Sequence, residues 1–132
     1  VTVPEPERLD DLLVDGFRQV SDILDERKST LAADPVLAEL ADLVAAAPDP
    51  ESDEVKRALL HAVDSRELSG AAEAVQYFAH RFRWTWLREE VERRHLDSLT
   101  RVDHRLIRHY ERMLEAFSPE WEDRDLFPSL NS

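Results

Sequence analysis

A chain of 132 residues, 42% of them apolar, is long enough for one domain with its own core and excludes a globally disordered chain. Its net charge of −12 opposes non-specific binding to nucleic acid or to an anionic membrane surface, and no apolar run approaches the ~20 residues a bilayer-spanning helix needs. The absence of cysteine excludes disulfides, thiolate metal sites and a cysteine nucleophile.

Residues 1–6 read as a flexible arm. They are acidic and proline-bearing and lack the basic-then-apolar layout of a secretion signal, so the protein is expected to be cytoplasmic. A long helix is predicted from about Glu7 to about Ser29, with Leu9, Leu12, Leu13, Gly16, Phe17, Val20, Ile23 and Leu24 on one stripe. Gly16 inside that stripe predicts close approach of another helix backbone, or a kink. Asp34-Pro35 reads as an acceptor cap followed by a first-turn proline. The helix it opens carries Val36, Leu37, Leu40, Leu43 and Val44 and fades at Ala47-Pro48.

Asp49-Pro50 repeats the start signal, and Glu51, Asp53 and Glu54 suit the positive end of a helix dipole. Val55, Ala58, Leu59, Ala62 and Val63 form that helix's apolar face, which ends near Arg66. Ser69 is the predicted cap of the next helix, whose stripe is Val75, Phe78, Ala79 and Phe82. Past Phe82 the pattern changes phase, because Trp84, Leu87 and Val91 fall on nearly the opposite side of a continuous wheel. A break or sharp kink near Arg83–Thr85 is expected, in preference to one central helix that is apolar on two sides.

A joint near Leu96–Ser98 then leads into the cleanest helical pattern of the chain, Leu99 to Phe117. Leu99, Val102, Leu106, Tyr110, Met113, Leu114 and Phe117 recur at three and four positions and predict a buried seam. Arg101, Arg105, Arg108 and Arg112 form a basic ridge opposite it. Ser118-Pro119 is read as a third cap-and-proline start, opening a short helix over 118–132 that Pro128 stops and that packs back on the body. Two glycines, two isoleucines and abundant Ala, Leu, Glu and Arg predict no sheet. The expectation is an all-α single domain over 1–132, with about five to seven helices arranged as an irregular antiparallel helical bundle or a short stack of helical hairpins.

Candidate chemistry is sparse. Glu92-Arg93-Arg94-His95 has the Glu-x-x-His spacing of di-iron bundles, but those need a second such pair, and none is present. His104 and His109 are five apart, the wrong spacing for a shared zinc ion on a helix. His61 and His80 are isolated and read as half-buried helix residues. His95, Asp97 and Ser98 have the residue types of a hydrolase triad without a nucleophile elbow, and Asp97 or Ser98 is better read as a helix cap. No catalytic residue, metal or cofactor is predicted.

Charge is segregated. Residues 1–80 hold 18 acids and 7 bases, whereas residues 81–112 hold 9 arginines and 6 acids. The interleaved Glu89, Glu90, Glu92, Asp103, Glu111 and Glu115, and the acidic N-terminal half as a candidate partner, favour pairing of the arginine ridge within the molecule. An external acidic partner comes second and nucleic acid last. Phe78, Phe82, Trp84, Trp86, Trp121 and Phe127 are assigned to the core.

The functional expectation is a non-enzymatic helical interaction or regulatory module, a monomer or homodimer, with an unidentified protein partner docking on Arg101, Arg105, Arg108 and Arg112. The alternative is a small-molecule-binding protein or enzyme with a pocket between helices lined by Tyr77, His80, Trp84 and Tyr110.

Overall fold

The computed structural model describes residues 8–65 and 70–131. Among these there are six α-helices and no strand, forming an all-α bundle. Helix α1 (Leu9–Arg27) buries Leu13, Gly16, Phe17, Val20 and Ser21, a face set by three-and-four spacing. It ends on Lys28 in the left-handed region (φ 54°), whose N–H donates to the Leu24 carbonyl.

Helix α2 (Thr30–Ala46) starts four residues before the expected cap. Asp34-Pro35 therefore lies inside a helix, and Pro35 is its sixth residue. An interior proline removes one helical hydrogen bond and crowds the carbonyl four residues back. Burial of Ala33, Leu37, Leu40, Ala41 and Val44 offsets that loss. Asp34 caps nothing: it is buried and faces the C-terminal segment.

The space at Gly16 is taken by a side chain, not by a backbone as predicted. A β-carbon there would stand 2.4 Å from Cδ1 of Leu40. The close backbone approach occurs at Gly70, where a β-carbon would stand 3.1 Å from the Ser21 nitrogen. Gly70 N–H donates to Ser21 Oγ at 3.0 Å, which ties the start of helix α4 (Ala71–Phe82) to α1. The expected cap Ser69 and the predicted arm at 1–6 lie outside the described residues. Helix α3 (Asp53–Asp64) is capped by Ser52, whose Oγ accepts from Val55 N–H at 3.4 Å.

The break after Phe82 is present, with Arg83 at φ 50° and helix α5 (Thr85–Arg101) following Trp84. The phase change has a tertiary cause: α4 packs into the body against α1, α2, α3 and the last helix, α6 (His104–Glu115), while α5 lies mainly against α6. The predicted Leu99–Phe117 helix is two helices. Val102 adopts φ 53°, Asp103 accepts from Leu106 N–H at 3.3 Å, and helix α6 runs His104–Glu115. An aspartate able to cap outweighs continuity of the apolar pattern.

The joint expected at Leu96–Ser98 is accordingly mid-helix. Neither Asp97 nor Ser98 caps, and Ser98 Oγ donates to the His95 carbonyl at 2.6 Å. The apolar seam is shorter than predicted. Tyr110 and Met113 are buried and Leu106, Leu114 and Phe117 are partly so, but Leu99 and Val102 are exposed.

Beyond α6 the C-terminal stretch forms two 3₁₀ segments, Glu122–Leu126 and Pro128–Asn131, in place of a short α-helix. Pro128 opens the second one. Both segments pack on α2, the second also on α4, and bring Trp121 and Phe127 into the core. The aromatic residues form a connected series. Phe17 meets Phe78 edge-on, Phe82 stacks on Trp84 at 4.4 Å, and Tyr77 and Trp121 flank Phe127. Among the described residues no helix is long and apolar enough to cross a membrane.

Candidate functional site

The break at Val102-Asp103 divides the predicted arginine ridge between two helices. Arg101 ends α5 and pairs with Asp97 at 3.3 Å. Arg112 pairs with Glu73 at 3.2 Å, and its carbonyl accepts from Gln76 Nε2 at 2.8 Å. Most neighbouring arginines are likewise engaged within the molecule: Arg81 with Asp42 at 2.7 Å, Arg88 with Glu92 at 2.8 Å, and Arg93 with Glu90. Arg94 bridges Asp64 at 2.6 Å and Glu90 at 2.7 Å, which fastens α5 to the end of α3. Hydrogen bonds from Arg94, then Arg93, hold the Glu90 carboxyl below its ordinary range. The Asp64 carboxylate raises the Arg94 guanidinium.

Two members of the ridge are different. Arg105 and Arg108, in the first turns of α6, are exposed and have no carboxylate within ion-pair distance among the described residues. They stand at the end of the α5–α6 hairpin, where α5 leaves Leu96, Leu99 and Val102 in solvent. The sequence reading missed this surface. A helix assumed to run through Val102 places both Leu99 and Val102 on the buried side, and only the capping aspartate at 103 hints otherwise.

The predicted pocket residues separate. Tyr77 and His80 line a cleft of about 590 Å³ between α2, α4 and the C-terminal segment, with Asp42, Arg81, Arg83 and Ser129. Trp84 lies elsewhere, buried between Phe82 and Trp86, and Tyr110 lies in a separate groove beside Arg94 and Asp97. The polar groups of the cleft are largely committed. Ser129 Oγ donates to Asp34 at 2.7 Å, and its backbone N–H reaches the same carboxylate at 3.3 Å. Tyr77 Oη lies 2.6 Å from Ser129 Oγ, so with that hydroxyl's proton on Asp34 the tyrosine is the donor. His80 Nδ1 is 3.0 Å from the Ala116 carbonyl, which can only accept, so Nδ1 carries the proton.

The other sequence candidates sit on helix surfaces or serve backbone groups. Glu92 is paired to Arg88, and His109 Nε2 approaches the Val63 carbonyl at 3.3 Å. His95, Asp97 and Ser98 do not assemble into a relay, because Ser98 gives its proton to a backbone carbonyl and Asp97 faces Arg101. Among the described residues no three His, Asp or Glu side chains come together as a metal-binding set. The chain matches no protein-family model, no curated protein and no solved structure.

Proposed function

We propose that the chain is a non-enzymatic protein-interaction module of the cytoplasm that docks an acidic partner at the end of the α5–α6 hairpin. The observation that supports this reading is the state of its arginines. In a chain rich in carboxylates, Arg105 and Arg108 remain exposed with no carboxylate within ion-pair distance among the described residues, while Arg101 and Arg112 are taken. Guanidinium groups with open donor sets suit bidentate binding of carboxylates supplied from outside. A photo-reactive residue in place of exposed His104 tests this in cells. A discrete adduct is expected, lost in Arg105→Glu/Arg108→Glu and absent when the probe replaces Leu43 on α2. An adduct indifferent to the charge reversal removes the reading.

A second reading, a small molecule held in the cleft beside Tyr77 and His80, has that cavity in its favour. Against it, Asp42, Ser129 and the Tyr77 hydroxyl already satisfy one another or their neighbours.

A further inference from the structure

The end of the hairpin carries apolar surface as well as charge. Leu96, Leu99 and Val102 are 64%, 46% and 64% exposed, within seven residues of chain. Val102 adds an independent observation. It is β-branched, yet it sits at φ 53°, a conformation that glycine takes without strain. A glycine there would donate the same N–H to the Leu99 carbonyl that closes α5. The fold therefore gains little from valine: its side chain is mostly in water and its backbone is strained. Lys28 and Arg83 close α1 and α4 at nearly the same angle, so the angle is a helix-ending conformation; Val102 differs from them in placing an apolar, β-branched side chain in water there.

We infer that this surface receives an amphipathic α-helix of a partner protein, with its apolar side over Leu96, Leu99 and Val102 and a border of Asp and Glu against Arg105 and Arg108. The inference rests on the docking reading above and names its occupant. A helix is indicated because α5 and α6 present side chains while their backbone groups are used internally, so an extended strand finds no edge to extend. Leu96 to Val102 spans about 9 Å along a helix, which matches apolar anchors on about two turns of a partner.

The acidic border follows from local charge. Arg93, Arg94 and Arg101 are paired with Glu90, Asp64 and Asp97, whereas Arg105 and Arg108 have no carboxylate within ion-pair distance among the described residues, so these two guanidiniums set the complementary charge. A second copy docking by two-fold symmetry would bring the open guanidiniums of both copies together. An anionic membrane would face a chain whose net charge is −12.

The test uses the full chain and fluorescence anisotropy. The probe is a labelled helical peptide of about 18 residues with a leucine seam and glutamate flanks, compared with the same seam flanked by lysine. Binding of the glutamate peptide is expected, weakening with added salt and falling at least about tenfold in Leu96→Asp/Leu99→Asp and in Arg105→Glu/Arg108→Glu. Those positions are exposed, and parent-like thermal melts of the variants are the control.

Val102→Gly separates docking from a structural role, because it should melt at a higher temperature than the parent and bind the peptide less tightly. The inference is overturned by equal binding of the lysine peptide, by no binding of either peptide, or by tighter association with phosphatidylserine vesicles. Dimerisation in light scattering that Leu96→Asp/Leu99→Asp abolishes also overturns it. If the His104 adduct forms and depends on Arg105 and Arg108 while the peptide does not bind, only the occupant is wrong. An adduct indifferent to those arginines removes the docking reading with it.

Discussion

Val102 shows how one backbone angle can be read as both strain and function. At φ 53° a β-branched side chain is crowded against its own backbone, and 64% exposure means that little packing offsets the crowding. Val102→Gly is expected to stabilise the chain by about 1 kcal/mol, measured as a higher urea midpoint at unchanged slope. Glu90 provides a pH prediction. Its carboxyl is held below the ordinary value of 4.5 by Arg94 and Arg93. A lowered carboxylate contributes stability above its unfolded value and loses that contribution as pH falls through its folded one. The parent is therefore expected to exceed Glu90→Gln in stability by roughly 0.5 kcal/mol at pH 7, and the gap should narrow as pH falls below 4.5 and through the lowered value. A gap that does not narrow with acidification in parallel urea titrations would locate the effect elsewhere.

Helix α6 is the element where the sequence pattern and the structure can be compared position by position. Leu106, Tyr110 and Met113 all lie on the predicted seam, yet Leu106 is only partly buried whereas Met113 is fully so. Met113→Asp is expected to cost at least about 3 kcal/mol, because the charge has no partner and no water. Leu106→Asp, near the end of the hairpin, is expected to cost only about 1–2 kcal/mol, since its carboxylate can reach solvent. Equal losses in calorimetric melts would mean that the hairpin end is drier than its exposure indicates.

Among the described residues, the clasp of Asp34 on Ser129 links positions 95 residues apart. It holds the C-terminal segment on α2 and so keeps Phe127 and Trp121 over Tyr77 and His80. Asp34→Ala removes the carboxylate that the Ser129 N–H and hydroxyl bond and is expected to cost about 1–3 kcal/mol. The stretch after Phe117 should then be cleaved faster in limited proteolysis, with α1–α4 still protected. Unchanged cleavage would show that the two aromatic side chains alone hold the segment.

Helical periodicity is a local property, which is why the chain by itself determined an all-α bundle, the buried faces of α1 and α3, the change of face at Arg83–Thr85 and the return of the C-terminal aromatics to the body. Each follows from side chains a few positions apart on one element. Burial and charge pairing depend on groups far away in sequence, and there local pattern ran out. Asp34-Pro35 reads as a cap until Ser129 arrives to bond the aspartate. Pairing of the arginines within the molecule is expected from composition, but that Arg112 meets Glu73 and Arg94 meets Asp64 is set by how the helices pack. Leu99 and Val102 read as core because, Asp103 aside, nothing nearby reveals that none of the described elements covers the end of the hairpin. Folding thus decided which arginines remained open and which apolar residues stayed wet, since both depend on what the rest of the chain places within a few ångströms.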